Sequence, residues 1–329
     1  MKLLVTGGCG FIGSNFIRLI LETYPDSEIV NLDKLTYAGN PENLRDIGHD
    51  PRYRFIRGDI CDPGAVGEAI EGCDAVVNFA AESHVDRSIA DCRAFVMTGV
   101  EGVRVLLEAS RKKRVSRFVQ AGTDEVYGSV RGYATEESPL NPSSPYAAAK
   151  AAGDLLALAY HTTYGLPVMV TRSSNNYGPY QYPEKLIPLF ITNGMEGKKL
   201  PLYGDGRNVR DWLHVRDNCR AIDLVLGEGA PGEIYNIAGN SELRNIDVAR
   251  MIVSELGIPG NSITPVADRP GHDFRYAMDA RKITRLGFVP SIHFKAGIRE
   301  TITWYRSHPE WWRPLKENLK PQINTDERR

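Results

Sequence analysis

The sequence predicts an α/β fold, a doubly wound parallel sheet with a smaller second lobe toward the C-terminus, and three observations predict it. Through the first half of the 329-residue chain, short β-like runs alternate with helix-like runs: KLLVTG, FIGSNFIRLILETY, EIVNLD, YRFIRGD, DAVVNFAA, VEGVRVLLEASRKK and SRFVQAG. The strand-like runs are apolar at nearly every residue, as expected of strands covered by helices on both faces. After LPVMVTRSSNNYGP the alternation weakens and Pro, Gly and charged residues become frequent, through QYPEKLIPLFITNGMEGKKLPLYGDGRNVRD.

Taken in order, KLLVTG is a first strand that runs into glycines and then into the helix FIGSNFIRLILETY. EIVNLD is a second strand ending in an acid. The basic run RKKR at 111–114 follows the apolar-periodic VRVLLEAS, where cations suit a helix C-terminus, so it is a solvated helix end rather than a nucleic-acid patch. RFVQAGTDEVYG ends a strand in Thr123 followed by two acids, Asp124 and Glu125. NPSSPYAAAKAAGDLLALAY is a helix with Ser144 as its N-cap and Pro145 at the first helical position. The second lobe is expected to begin near 176, giving 1–175 and mainly 176–329. WLHVRDNCRAIDLVLGEG and EIYNIAGN, within about 212–240, return to the first lobe. The polar NLKPQINTDERR is expected to be a frayed tail.

Composition narrows the function. A net charge of −1 creates no general field favouring nucleic acid or acidic membranes. Five widely spaced cysteines, with no C-x-x-C pair, indicate neither a disulfide framework nor a zinc site and suggest a reducing compartment. MKLLVTGG is too short an apolar stretch for a signal peptide or membrane span, so the cytosol is the expected location. No metal is expected.

Gly7, Gly10 and Gly13 follow a strand and open a helix, where glycine allows a tight turn and close approach to a pyrophosphate. Asp33 ends the next strand, 20 residues after Gly13. A carboxylate there accepts hydrogen bonds from ribose hydroxyls and repels a 2′-phosphate, which favours NAD over NADP. Tyr146 and Lys150 lie one turn apart on one helix face, so the ammonium, with a cationic nicotinamide, is expected to lower the phenol's pKa and let it act as a base toward an alcohol. Asp124 and Glu125 imply a second reaction: once an alcohol is a ketone, a carboxylate can remove the neighbouring C–H proton and a protonated carboxyl can release a hydroxyl as water.

These residues carry a resemblance. From VTGGCGFIGSNF and NLDKLTYAGNPENL through NFAAESHVDRSI, TDEVYG, SPYAAAKA and RSSNNYGPYQYPEKLIPL to LPLYGDGRNVRDWLHV and RPGHDFRYAMD, the chain resembles the extended short-chain dehydrogenase/reductase family, and within it the nucleotide-sugar 4,6-dehydratases. TDEVYG is the most diagnostic piece. The resemblance implies a Rossmann-type NAD-binding domain, NAD as cofactor and a nucleotide-sugar substrate, with dTDP-glucose favoured. It implies that Tyr146, assisted by Lys150 and Thr123, takes the C4 hydroxyl proton, that Glu125 removes the C5 proton and that Asp124 protonates the leaving C6 hydroxyl. Cofactor contacts are implied for Phe11, Ile12, Asp33, Lys34, Thr36, Asp59, Ile60, Phe79, Ala80, Ala81, Thr98 and Asn176, beside the three glycines and the Tyr146–Lys150 pair. Substrate contacts are implied for Ser83, Thr123, Asn175, Lys185, Leu186, Pro201, Tyr203, Arg210, Asn245, His272 and Tyr276. Arg210 and Arg275 suit a pyrophosphate, because a guanidinium binds phosphate oxygens bidentately.

Two positions depart from the family pattern. Gly122 stands where relatives commonly have serine, which should leave the chemistry intact. Phe274 stands where an arginine is usual, which removes a cationic contact near the diphosphate or base. A homodimer through helices around 95–110 and 146–161 is expected from the family. Other readings consistent with the motifs are a UDP- or CDP-sugar 4,6-dehydratase, a 4-epimerase or decarboxylase on UDP-sugars, and a non-catalytic NAD-binding scaffold.

Overall fold

The computed structural model describes residues 1–317; the NLKPQINTDERR tail lies outside the described residues. The first half runs β1 (Lys2–Thr6), α1 (Phe11–Thr23), β2 (Glu28–Asp33), β3 (Tyr53–Arg57), α2 (Pro63–Ala69), β4 (Ala75–Asn78), α3 (Val85–Ala90), α4 (Arg93–Val96), a π turn (Met97–Gly102), α5 (Val103–Lys113), β5 (Arg117–Thr123), α6 (Pro145–Tyr164) and β6 (Val168–Ser173). The second runs β7 (Asn175–Tyr177), α7 (Leu186–Met195), β8 (Leu200–Tyr203), β9 (Val209–His214), α8 (Val215–Glu228), β10 (Ile234–Ile237), β11 (Glu242–Arg244), α9 (Asn245–Leu256), β12 (Ile263–Val266), α10 (Arg281–Arg285), α11 (Phe294–Ser307) and α12 (Pro309–Glu317).

Seven strands form one parallel sheet in the order β10-β6-β5-β4-β1-β2-β3. Successive strand residues face opposite sides, so β1 places Leu3 and Val5 in one core and Leu4 in the other. Phe16, Ile17 and Ile20 of α1 and Ile222 and Val225 of α8 cover the first face; Val66, Leu106 and Ala157 from α2, α5 and α6 cover the second. Each large apolar side chain so buried contributes about 1.5–3 kcal/mol before the entropy of ordering it. The chain proceeds outward from β1 to β3, then crosses to β4. Strand order therefore reverses between β1 and β4, and a crevice opens there at the carboxyl edge of the sheet.

A three-stranded sheet, β11-β9-β7, and a pair, β12-β8, pack with α7, α9, α11 and α12 around a separate core that includes Phe190, Ile252, Ile302 and Trp312. β9 pairs with β7 in this smaller sheet, whereas α8 packs against α1 and β10 extends the large sheet beside β6. Helix α6 begins as its sequence predicts: the Ser144 hydroxyl accepts the Ala147 N–H at 3.2 Å, Pro145 occupies the first turn, and Gly165 closes the end at φ +67°. Arg111, Lys112 and Lys113 occupy the last turn of α5, as the charge pattern there requires. Among the described residues no helix is long and apolar enough to cross a membrane. All five cysteines are free.

Candidate functional site

A cavity of about 410 Å³ lies over the crevice between β1 and β4 and continues between the two lobes. Its floor is the glycine turn. Gly7 has φ +69°, and a Cβ there would sit 2.7 Å from the Ala80 amide nitrogen; at Gly13 a Cβ would meet the Gly7 carbonyl at 2.4 Å. Only glycine lets the turn approach the β4 loop and α1 this closely. Gly10 precedes α1 and supplies no side-chain cap, so the first helical N–H groups face the cavity without a protein side chain on them. Asp33 is fixed by two backbone donors, Cys9 N–H at 2.9 Å and Leu35 N–H at 2.8 Å, and a carboxylate so held keeps lone pairs for further donors. Lys34 pairs with Asp59 at 2.6 Å, and the π turn brings Thr98 to the cavity wall. These features fit a dinucleotide: a helix N-terminus for the pyrophosphate and an acid for a ribose. Asn176 adds a buried side-chain oxygen with no protein partner.

Opposite the floor, β5 ends in Thr123 and a short turn carries Asp124 and Glu125. The Thr123 hydroxyl donates to Asp124 at 3.2 Å and accepts the Glu125 N–H at 3.3 Å. From α6, Tyr146 and Lys150 enter the same cavity, the ring of Tyr146 lying edge-on to Phe95 at 6.3 Å. One turn further along α6, Asp154 pairs with Arg172 of β6 at 2.9 Å, Arg172 donates to the Tyr127 hydroxyl at 2.9 Å, and Tyr127 donates to Asn236 at 2.8 Å. This fully buried chain ties the catalytic helix to the turn bearing the acids. At Gly122 an added Cβ would lie 2.7 Å from the Thr171 carbonyl, so β5 and β6 accommodate glycine without shifting.

The two neighbouring acids differ. Asp124 is fully buried and its carboxyl is raised well above the usual range, first by loss of solvation and then by the Glu125 charge. Both effects favour its protonated form, which can donate. Its pKa makes a prediction about stability. Between the ordinary aspartate value of ~4 and its folded value, the folded protein binds more protons than the unfolded chain, so this group's contribution falls as pH rises through that window. Asp124→Asn, which keeps the acceptor for Thr123 and cannot ionise, is expected to melt no lower than wild type at pH 7, with the difference closing near pH 4. A lower melting temperature at pH 7 by calorimetry would contradict this.

Tyr146 is also raised, by burial first and then by Glu125, while its hydrogen bond with Thr123 opposes the shift. This is the effect of the protein's own groups; the sequence expectation of a lowered phenol counts the nicotinamide's positive charge as well as that of Lys150. Lys150 is itself buried, its own pKa is lowered by that burial, and its ammonium donates to the Ala121 carbonyl. The protein's groups alone hold Tyr146 protonated.

On the second-lobe side the cavity is lined by Ser83, Asn175, Lys185, Leu186, Pro201, Tyr203, Arg210, Asn245, His272 and Tyr276, all of which the resemblance indicates. Lys185 donates to the Ser83 carbonyl, Tyr203 donates to Asp86 at 2.9 Å, and Arg210 lies over the Tyr276 ring at 4.1 Å. The Tyr276 hydroxyl reaches Asp273 at 2.8 Å and Glu125 at 3.5 Å. Asn175 and Asn245 each present a buried side-chain oxygen without a protein partner. The dinucleotide positions Phe11, Ile12, Thr36, Ile60, Phe79, Ala80 and Ala81 line the same cavity.

Arg275 is a correction. Its guanidinium is taken by Glu242 at 2.7 Å and by the Gly132 carbonyl at 2.7 Å, outside the cavity. The segment is extended, with an isolated parallel bridge between Val209 and Arg275, so alternation that turns Tyr276 inward turns Arg275 away. Arg269 lines the cavity instead, 3.4 Å from Asp86, with its Nε buried and unpartnered. The signal was present in RPGHDFRY, whose first arginine sequence reasoning passed over. Phe274 is 58% exposed and does not line the cavity. Gln181 and Glu184 also line the cavity and were missed; no local motif marks them, because both depend on how the 181–184 segment folds across the lobes.

The parallel sheet, the glycine turn and the Tyr146–Lys150 pair at its carboxyl edge define an extended short-chain dehydrogenase/reductase. The family model described as GDP-mannose 4,6 dehydratase matches residues 4–301. A dTDP-glucose 4,6-dehydratase of Streptomyces niveus is 56% identical over 322 residues, 96% of each chain. dTDP-glucose 4,6-dehydratase 1 of Escherichia coli (strain K12) is 51% identical over 94% of each chain. The structure of DesIV, a dTDP-glucose 4,6-dehydratase of Streptomyces venezuelae solved with NAD bound, superposes with a TM-score of 0.94 at 54% identity, covering 96% of this chain and 100% of that one. The chain belongs to this family and, within it, to the dTDP-glucose 4,6-dehydratases.

Proposed function

We propose that the protein dehydrates dTDP-glucose to dTDP-4-keto-6-deoxyglucose, with NAD in the cavity between the lobes. The observation that carries the reading is the acid pair: Asp124, whose burial favours its protonated form, and the adjacent Glu125 share one cavity with Tyr146, as elimination beside a carbonyl requires. The Streptomyces niveus and Escherichia coli relatives are dTDP-glucose 4,6-dehydratases, and DesIV was solved with NAD bound. When bound, NAD would supply a hydride acceptor that returns the hydride within the same turnover, and a positive charge beside Tyr146. Gly7, Gly10, Gly13, Asp33 and the other floor residues would hold it.

Tyr146, hydrogen-bonded to Thr123, takes the C4 hydroxyl proton, and Lys150 supports the phenolate by its charge. Oxidation at C4 acidifies the C5–H bond. Glu125 removes that proton and Asp124 protonates the C6 hydroxyl as it leaves, so one water departs. Hydride at C6 and a proton at C5 complete the product. Lys185, Arg210 and Arg269 place positive charge where the diphosphate would lie. Asp124 is buried and Glu125 and Tyr146 are half-buried, which limits the access of water to the intermediate. Comparing keto-sugar formation from dTDP-, UDP- and CDP-glucose tests the base: the largest kcat/KM is expected with dTDP-glucose, and a preference for UDP-glucose would overturn that assignment.

Residues 1–175, with segments returning from about 212–240, would form the NAD-binding domain, and the rest mainly the sugar-nucleotide lobe. Gly13→Ala is expected to weaken dinucleotide binding at least tenfold, because the new Cβ strikes backbone rather than a movable side chain. Fluorescence titration with NADH checks this. The functional unit is a homodimer formed through α4–α5 and α6, whose outer surfaces expose Val96, Met97, Leu155 and Tyr164. Light scattering should give twice the chain mass; a monomer at working concentration would refute it. The five free cysteines suit the cytoplasm, where we place the protein.

A further inference from the structure

We propose that Trp311, in the last described helix, is a positioning residue that holds the glycine turn in its dinucleotide-binding shape through Asn43. The proposal rests on the reading that NAD occupies the cavity. Cys9 lies inside the turn, between Gly8 and Gly10, and its peptide groups are a junction. Its N–H goes to Asp33 at 2.9 Å; its carbonyl accepts the Asn40 N–H at 3.0 Å and the Asn43 side-chain amide at 2.9 Å. The other end of that amide, the Asn43 oxygen, accepts the Trp311 indole N–H at 2.8 Å. Asn43 is 1% exposed and Trp311 9%, so neither bond competes with bulk water. The chain of contacts thus runs from α12, 268 residues away, into the loop that would cradle the pyrophosphate.

Two physical facts give this chain a consequence. A turn with glycines at 7, 8 and 10 loses more backbone freedom on ordering than any other composition and resists it least by sterics. The Cys9 carbonyl and the Gly10 N–H share one rigid peptide plane, so anchoring the carbonyl also aims the Gly10 N–H at the Gly7 carbonyl, the 3.1 Å bond that closes the turn. Trp311 therefore sets the lifetime of the bound dinucleotide without touching it. An enzyme that oxidises and reduces one substrate in a single turnover gains from a slow release.

The test is a double-mutant cycle on cofactor release. Wild type, Trp311→Phe, Asn43→Ala and the double variant are loaded with NADH and mixed with excess NAD, and the loss of NADH fluorescence gives the off-rate. Phe keeps an aromatic ring against Tyr180, Trp304 and Tyr305 while removing the N–H donor and part of the indole, a loss of ring that Trp312→Phe shares. Trp311→Phe is expected to speed release about five- to tenfold, the scale of one lost buried hydrogen bond. The double variant should release no faster than Asn43→Ala, because both act through one chain. Trp312→Phe is the control. It removes the 2.8 Å bond from the Trp312 indole to the Tyr305 carbonyl, between α12 and α11, and should lower the melting temperature with the off-rate unchanged. An unchanged off-rate in Trp311→Phe, additive effects in the double variant, or equal acceleration in Trp312→Phe would overturn the proposal. Failure of wild type to retain NADH at all would instead overturn the assignment of NAD to the cavity, and the proposal with it.

Discussion

Glu125→Gln is expected to lower turnover of dTDP-glucose by about 10²–10⁴, the usual contribution of a positioned general base. The loss should be specific to one step. Gln keeps the size and the hydrogen-bonding reach of Glu125, whose neighbour across the cavity is the Tyr276 hydroxyl at 3.5 Å, but it cannot take the C5 proton. Oxidation at C4 does not need Glu125, so reduced nicotinamide should accumulate on the enzyme when substrate is added, seen as a rise in its absorbance. Deuterium from heavy water should not enter C5. Normal exchange and elimination in this variant would show that another group is the base.

Tyr146→Phe is expected to cause a loss of similar or greater size, and to do so earlier. Without the phenol no group in the cavity takes the C4 proton, because Thr123 is a neutral hydroxyl already shared with Asp124 and Lys150 is turned to the Ala121 carbonyl. No reduced nicotinamide should appear on adding substrate. The contrast between the variants separates oxidation from elimination: accumulation in Glu125→Gln, none in Tyr146→Phe. Equal accumulation in both would mean that Tyr146 is not the proton acceptor. For the wild-type enzyme, turnover should fall as pH rises through the raised pKa of Asp124, because only its protonated form can release the C6 hydroxyl as water.

The sheet was legible because its signal is local. β1, β2, β4 and β5 are apolar at nearly every position, and each precedes a turn or helix whose composition marks it. The glycine turn, Asp33, Thr123 to Glu125 and Tyr146 with Lys150 were legible for the same reason, each being a short motif joined to a predictable element. Three parts were not. The placement of Arg275 and Arg269 depends on the alternation of an extended segment, which turns Arg275 to Glu242 and away from the cavity. Spacing on a helix places Tyr146 and Lys150 on one face without saying that the ammonium donates to the Ala121 carbonyl. Glu184 lines the cavity through a pairing with Tyr37 at 2.9 Å that joins positions 147 residues apart, and no window along the chain contains both.

The most direct test of the central claim is mass spectrometry of the product formed from dTDP-glucose in heavy water, using purified protein without added NAD. The account predicts the loss of one water with one deuterium retained at C5, and no net change in the cofactor carried by the protein. A product of unchanged mass, with the C4 configuration inverted, would contradict it and mark the enzyme as an epimerase.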